Sequence, residues 1–430
     1  MADAYTTFTA MSNDAINAYI TTKMIELSNR VLVIQKVSDP YSLPQRMGKT
    51  LRIVQVQRLA LPTGPVPEGI TPPTNNLTLI NVDVTVQQWV IVVALTDVLE
   101  LTTTHPMLNI AIDRVSLVMA ETAEREDANT LMAATNVTYA KAATTRGTLV
   151  ATDVFDTALA ITINAKLEMR GAPKFLPDGN YIGLFQPPHK AAILGSDQTF
   201  QQASSFSIIN NLKYGYVGPW MGVDWTMGNF LPVFVGVAAP DTAAPTALKA
   251  QYTVGTSGTL TTANYQLKVV AREVDTDYER RLSVQTGNIA VTSPGSIAVR
   301  FPTSVNYTYD VYMTAAGGTT AFLMASRQAA NSVYTITTPP TGTEPVAPVS
   351  PAVGINVYPG FVLGKGAFGT CVLNGMSLQT FVTPKGPSDS DPAAQRRKVA
   401  AKYMRKSWII ENRFIERFET SSAFPAAIPA

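Results

Sequence analysis

Apolar and polar residues alternate along Val82-Asp83-Val84-Thr85-Val86-Gln87, the two-residue period of a strand with one buried face. This run, LTLINVDVTVQQWVIVVALTDVLEL, follows RLALPTGPVPEGITPP from Arg58 onward. Pro62, Pro65, Pro67, Pro72 and Pro73 bar a helix through the connection, because each removes a backbone donor and crowds the preceding turn. The stretch from Arg58 to Glu100 therefore predicts two strands joined by a long loop, an arm with almost no core of its own. Such an arm has to bury its apolar face on something else, and a second copy of the same chain is the nearest partner.

Upstream, Ile16, Tyr19, Ile20, Met24, Leu27 and Val31 recur at helical spacing behind Ser12 and Asn13, which predicts a helix over residues 12–37. Gly48 then leads into a strand over Leu51–Leu61. Thr104, His105 and Pro106 form a helix start, and the periodic run continues from Met107 to about Ala134. Leu108, Ile112, Val115, Met119 and Ala123 share one stripe, while Glu121 and Arg125 stand one turn apart on another. At a rise of 1.5 Å per residue this helix is roughly 40 Å long, a spine longer than one small core needs. A second amphipathic helix is expected over Thr152–Arg170, with Val154, Ala158, Ile161 and Leu167 inward. Tyr181–Phe185 and Lys190–Leu194 then alternate with loops and a short helix containing Phe200, Ala203 and Phe206. Trp220–Pro232 reads as a hairpin returning to a central sheet, so the region is α+β.

The texture changes at Gly236–Ala250 and again at Thr338–Gly354, two Ala/Pro-rich stretches of matching character. Between them YQLKVVARE, RLSVQ, IAVTS, SIAVRFP, YTYDVYMT, AFLMAS and VYTIT all read as strands, with turns at Thr286-Gly287-Asn288 and Gly317-Gly318. Short strands at this spacing predict a small β-sandwich inserted into the host domain. Within it Tyr307–Tyr312 resembles a fibronectin type III or related immunoglobulin-like strand.

Composition narrows the class. The chain has 430 residues, 46% of them hydrophobic and 15% charged, with a formal net charge of +2. That excludes a disordered chain and a nucleic-acid binder driven by bulk charge, and it suggests that much of the surface is buried in assembly. The N-terminus lacks a basic start followed by an apolar core, so no secretory signal is expected, and no apolar run is long enough to cross a bilayer. Cys371 is the only cysteine, which rules out an intrachain disulfide, and with His105 and His189 it is a poor set for zinc. A product of a reducing cytoplasm is expected.

The candidate motifs have bland readings. Gly364, Gly366 and Gly369 match a phosphate fingerprint, yet TCVLNG follows where that motif needs a helix N-terminus, so a turn within a sheet is expected. Gly48-Lys49-Thr50 has the ending of a P-loop without its upstream glycine. His105 belongs to a helix start, His189 after Pro187-Pro188 to a loop, and Cys371 to an apolar strand. Asn76, Asn136 and Asn306 spell sequons without an export signal. Arg396, Arg397, Lys398, Lys402, Arg405 and Lys406 form the densest basic cluster. It reads either as a nucleic-acid backbone contact or, with no stacking platform beside it, as a solvated or subunit-facing surface paired with Glu411, Glu416 and Glu419. No catalytic, cofactor-binding or metal-ligating residue is expected, and no cofactor.

The order of parts resembles the tailed-phage major capsid protein of the Hong Kong 97 type, and the wording resembles its N-four-like major capsid family. The similar residues are Gly48-Lys49-Thr50, Arg58-Leu59-Ala60-Leu61-Pro62, Glu68-Gly69-Ile70-Thr71-Pro72, Gln87-Gln88-Trp89, Thr96-Asp97-Val98 with Glu100, and His105-Pro106. Further along, Val362-Leu363-Gly364-Lys365-Gly366-Ala367-Phe368-Gly369 is similar to the family's penultimate strand and turn, and Asp391-Pro392 with Gln395-Arg396 to its approach to the last element. The inserted segment and the basic stretch Arg396–Lys406 depart from the pattern.

The resemblance implies an N-terminal arm over 1–47, an extended loop hairpin with flanking strands over 48–100, and a peripheral domain with the spine helix over 101–149. It implies a first part of the axial domain over 150–235, the immunoglobulin-like insertion over 236–354, and axial and peripheral remainder over 355–430. Residues 51–96 would lie over a neighbouring subunit, and 150–235 with 355–385 would surround the capsomer centre. It further implies pentamers and hexamers of a shell in the virion, assembled in the host bacterial cytoplasm, with no enzyme activity and no membrane partner. Portal, scaffolding or decoration proteins and non-specifically packaged double-stranded DNA would be its other partners. On this reading, removal of Gly236–Gly354 leaves assembly largely intact. A carbohydrate-binding surface adhesin, which needs export, and a nucleotide-binding enzyme using the glycine fingerprint are the rival readings.

Overall fold

The computed structural model describes residues 33–422 apart from 57–58, 60, 62–63, 66–67, 70–73, 104–105, 176–178, 197–217, 229, 247–248, 275–276, 305, 377 and 384–394. Outside the described residues lie 12–32 of the expected first helix, His105, the expected short helix around Phe200, Ala203 and Phe206, and Asp391-Pro392.

After a 3₁₀ turn at Ile34–Val37 come β1 (Asp39–Leu43), β2 (Thr50–Val56), β3 (Leu79–Thr85), β4 (Gln87–Thr96) and helices α1 (Asp97–Thr102) and α2 (Met107–Leu131). There follow β5 (Val137–Tyr139), α3 (Thr157–Met169), β6 (Tyr181–Phe185), α4 (Pro187–Ser196), β7 (Pro219–Trp220), β8 (Val223–Met227) and β9 (Val233–Val237). An all-strand stretch comprises β10 (Gln251–Leu260), β11 (Ala263–Tyr265), β12 (Leu267–Glu273), β13 (Glu279–Ser283) and β14 (Ile289–Val291). It continues through β15 (Gly295–Arg300), β16 (Tyr307–Thr314), β17 (Ala321–Gln328) and β18 (Val333–Ile336). The last strands are β19 (Asn356–Leu363), β20 (Phe368–Leu373), β21 (Gln379–Val382), β22 (Arg396–Ile409) and β23 (Ile415–Ser422). The chain divides into two units, one of Ser38–Glu126 with Phe368–Trp408 and one of 33–37, Asp127–Ala367 and the residues from Ile409 on.

In the first unit β22 pairs antiparallel with β4 along ten residues, from Arg396 opposite Thr96 to Arg405 opposite Gln87. Alternation turns Trp89, Ile91, Val93 and Leu95 of β4 and Val399, Ala401 and Tyr403 of β22 to one side, where Ala111, Val115, Met119 and Ala123 of α2 pack on them. The helix thus buries the stripe that its sequence period predicts, with Leu108 and Ile112 at its margin. Thr96 caps α1, its hydroxyl accepting from the Leu99 amide at 3.4 Å, and Asp97 and Glu100 lie in the first turn where the helix dipole favours anions.

In the second unit eleven strands among the described residues form one sheet, ordered β17-β16-β12-β13-β9-β19-β6-β8-β7, with β23 between β19 and β5. Leu159, Ala160, Ile163 and Leu167 of α3 and Ile193 of α4 share a core with Phe234, Val362 and Phe418 of the sheet. The α3 stripe differs from the expected one: Asp156 caps the helix, accepting from the Leu159 amide at 2.9 Å, and that start leaves Ala158 and Ile161 outward. Lys190–Leu194 lies inside α4. Gly360 is required in β19, since a Cβ there would meet the Phe418 ring at 2.1 Å.

Segment 236–354 is two-layered. β10, β15 and β18 form one sheet, and Leu260, Ile297, Val299 and Ile336 pack against Leu267, Val269, Val311 and Met313 of β12 and β16. Its second layer is continuous with the host: β13 pairs parallel with β9, and Val270, Leu282, Tyr312 and Ala321 belong to the core that holds α3. Two linkers are therefore not its only attachment. β10 has no counterpart in the sequence reading, because Gly255 and Gly258 and their Thr and Ser neighbours hide its alternation.

Candidate assembly interface

The arm expected from the sequence is a hairpin. β2 and β3 pair from Thr50 opposite Thr85 to Val56 opposite Leu79, and among the described residues no third strand joins them. Directly opposed residues share a face. At the root, Leu51, Val82 and Val84 pack with Leu43, Cys371, Leu373, Met404 and Trp408, so that face is anchored to the first unit. On the other face the root is polar: the hydroxyls of Thr50 and Thr85 lie 3.0 Å apart, and Arg52 grips the Asp83 carboxylate with two hydrogen bonds of 2.7 and 2.8 Å. That pairing holds the Asp83 carboxyl below and the Arg52 guanidinium above their ordinary pKa values. It sets the register, although an exposed pair of this kind adds little stability.

Towards the tip the face that is polar at the root gives way to exposed apolar residues, and the anchored face emerges from the core. Val84 is 4% exposed at the root and Ile80 42% farther out, while the opposed pair Val56 and Leu79 are 60% and 55% exposed. Val54, Leu59, Leu61 and Leu77 are exposed as well. A second apolar surface lies on the side of the β4, β22 and β21 strands turned away from α2. There Val92 stands opposite Ala400, which stands opposite Phe381, and Val90 stands next along. Val90, Val92 and Phe381 are exposed, and the Lys402 ammonium sits 4.8 Å from the Phe381 ring centre. Contiguous apolar surface of this kind on a folded unit marks a place of association.

The basic cluster proves to be divided by the strand that carries it. All six residues lie on β22, whose alternation puts Arg397 and Arg405 on the side of Val399 and Ala401, and Lys398 and Lys402 on the other. Arg405 is buried, Arg397 is 3.5 Å from Glu100, and Lys406 is 3.4 Å from Glu126. The acids expected to pair with the cluster have other partners. Glu411 binds Arg413, Glu416 binds Arg170 at 2.5 Å, and Glu419 binds Arg146 at 2.8 and 2.5 Å. Sequence proximity misleads here because β23 folds into the second unit, where α3 and the residues before it bring their own cations.

The remaining motifs resolve as structure. Gly364 and Gly366 occupy the turn from β19 into β20, with Gly366 at φ +75°, and Gly369 lies in β20 itself, so a strand rather than a helix follows. Gly48, at φ +86°, precedes β2. Cys371 is buried at the hairpin root, and burial raises its thiol pKa. His189, expected in a loop, is buried in α4 between Phe155 and Phe418. Its Nδ1 accepts from the Gln186 amide at 3.0 Å, so Nε2 carries the proton and donates to the Tyr358 carbonyl at 3.2 Å. Burial pushes its pKa down to about 3, and the ring is a neutral structural pin.

No protein-family model matches the chain, and no curated protein sequence does. Solved structures do. The capsid of cyanophage P-SCSP1u superposes with a TM-score of 0.53 at 13% identity, covering 94% of each chain. The capsid of Ralstonia phage GP4 gives 0.50 at 10% identity, covering 95% of this chain and 97% of that one. The chain has the capsid fold of tailed phages.

Proposed function

We propose that this chain is the major capsid protein of a tailed double-stranded DNA bacteriophage, of the Hong Kong 97 type and the N-four-like family. It builds the icosahedral head shell by self-association, as pentamers and hexamers. The observation that carries the reading is the hairpin, rooted in the first unit and carrying exposed apolar residues toward its tip, on a chain with a capsid fold. Its apolar tip gains stability only when another surface covers it, and many such contacts around a closed symmetric shell add up. In this reading 48–100 is the extended loop over a neighbour, α2 the spine, and 150–235 with 355–385 the region around the capsomer centre. Chemistry is absent from the role; the shell encloses DNA, and its assembly takes place in the bacterial cytoplasm with portal, scaffolding or decoration proteins as further partners.

Segment 236–354 is assigned the outer surface, as an immunoglobulin-like sandwich that shares one sheet with the axial region. The continuous β9–β13 pairing supports a rigidly held outer layer in place of a flexibly tethered domain. Negative-stain microscopy of the purified chain tests the main reading: hollow icosahedral particles or capsomer rings are expected, and a monodisperse monomer at high concentration refutes it. Antibodies raised against 236–354 should decorate intact particles; binding only after disruption would reverse the assignment to the outer face.

A further inference from the structure

An open groove of about 480 Å³ lies in the second unit, lined in part by Lys268, Gln285, Thr319, Val346, Val349 and Ser350. Lys268 is the charged member of the lining among the described residues. It is only 6% exposed, stands opposite the core residue Tyr312 in the β12–β16 register, and its ammonium donates to the Pro348 carbonyl. No carboxylate among the described residues is paired with it. Burial, and after it the like charge of neighbouring Arg146, lowers the Lys268 pKa to about 8. Arg146 is itself paired with Glu419, a carboxylate it shares with Arg417. A buried cation without a counter-charge is costly, and a cavity beside it offers the place where one could sit.

We propose that this groove binds a small organic carboxylate, its oxygens seated on the Lys268 ammonium and its apolar body against Val284, Ala321 and Val346. One cation is matched by one negative charge, and a dianion such as phosphate would leave a surplus in a poorly solvated site. The volume lies within the roughly 300–1,000 Å³ typical of small-molecule sites. This site stands apart from the shell role and survives if that role fails.

The test is labelling of the full chain with an amine-reactive ester at constant ionic strength, followed by mass spectrometry of Lys268, together with thermal melting. Butyrate and benzoate should slow Lys268 labelling by about tenfold at ten times their Kd, leaving the exposed lysines unaffected, and should raise the melting temperature. Neutral butyramide should do neither. Lys268→Met should abolish the carboxylate-dependent rise in melting temperature and Lys268→Arg retain it; should the first variant fail to fold, the wild-type comparison of acid with amide still decides. Equal effects of acid and amide, no effect of either, or stronger protection by inorganic phosphate would overturn the proposal.

Discussion

Val56 and Leu79 face each other near the hairpin tip and are more than half exposed, which makes them a direct probe of what the arm is for. Changing both to Thr keeps residues suited to a strand and removes most of the apolar contact. Full burial of one such side chain contributes about 1.5–3 kcal/mol, so covering the exposed half contributes about 1 kcal/mol each. The pair is then worth about 2 kcal/mol per contact, roughly a 30-fold change in its equilibrium constant. The subunit's own stability should stay within about 0.5 kcal/mol, because neither residue is buried in it. Light scattering of purified subunits over a concentration series would show the assembly threshold rising by about that factor or more, with denaturant midpoints unchanged. An unchanged threshold would refute the reasoning. So would a loss of about 2 kcal/mol in subunit stability, which would mean that the arm packs on its own body.

Glu419 is shared by Arg146 and Arg417, so Glu419→Gln should cost about 3–5 kcal/mol in denaturant unfolding, whereas Arg146→Met, Glu419→Leu and Arg417→Met together should recover most of it. His189 is held neutral, with a folded pKa of about 3 against an ordinary 6.5, so the unfolded chain binds its proton first and stability falls as pH drops through that window. Between pH 7.5 and 5 the loss should be about 2 kcal/mol, and His189→Gln should flatten this part of the stability curve; an identical slope would exclude the ring as its source. Gly360→Ala should destabilise by about 1–3 kcal/mol or more, through overpacking against Phe418, and Phe418→Leu should partly rescue it in a thermal melt. Excision of Gly236–Gly354 should unfold the second unit, because Val270, Leu282, Tyr312 and Ala321 leave its core; soluble subunits with a native melt would show that the shared sheet is dispensable.

Short-range periodicity by itself determined the hairpin and the spine. Alternation over Val82–Val86 and the stripe through Val115, Met119 and Ala123 are written within a few residues of each other, and the structure buries those faces. Glycine and proline marked the turns for the same local reason, and the turn holding Gly364 and Gly366 joins strands as its surroundings imply. Only the tertiary structure decided which distant partners meet. Local period reads β13 as a strand, while β9 is not singled out by it and its last residues fall in a stretch that reads as a linker; their pairing is a long-range choice that fuses segment 236–354 to the host sheet. The basic run at 396–406 looks like one patch in the sequence, yet a strand sends neighbours to opposite sides, and the acids nearest in sequence, Glu411 and then Glu416 and Glu419 of β23, belong to the other unit. Lys268 and His189 became notable only through burial, which depends on everything packed around a residue and on nothing in its immediate sequence.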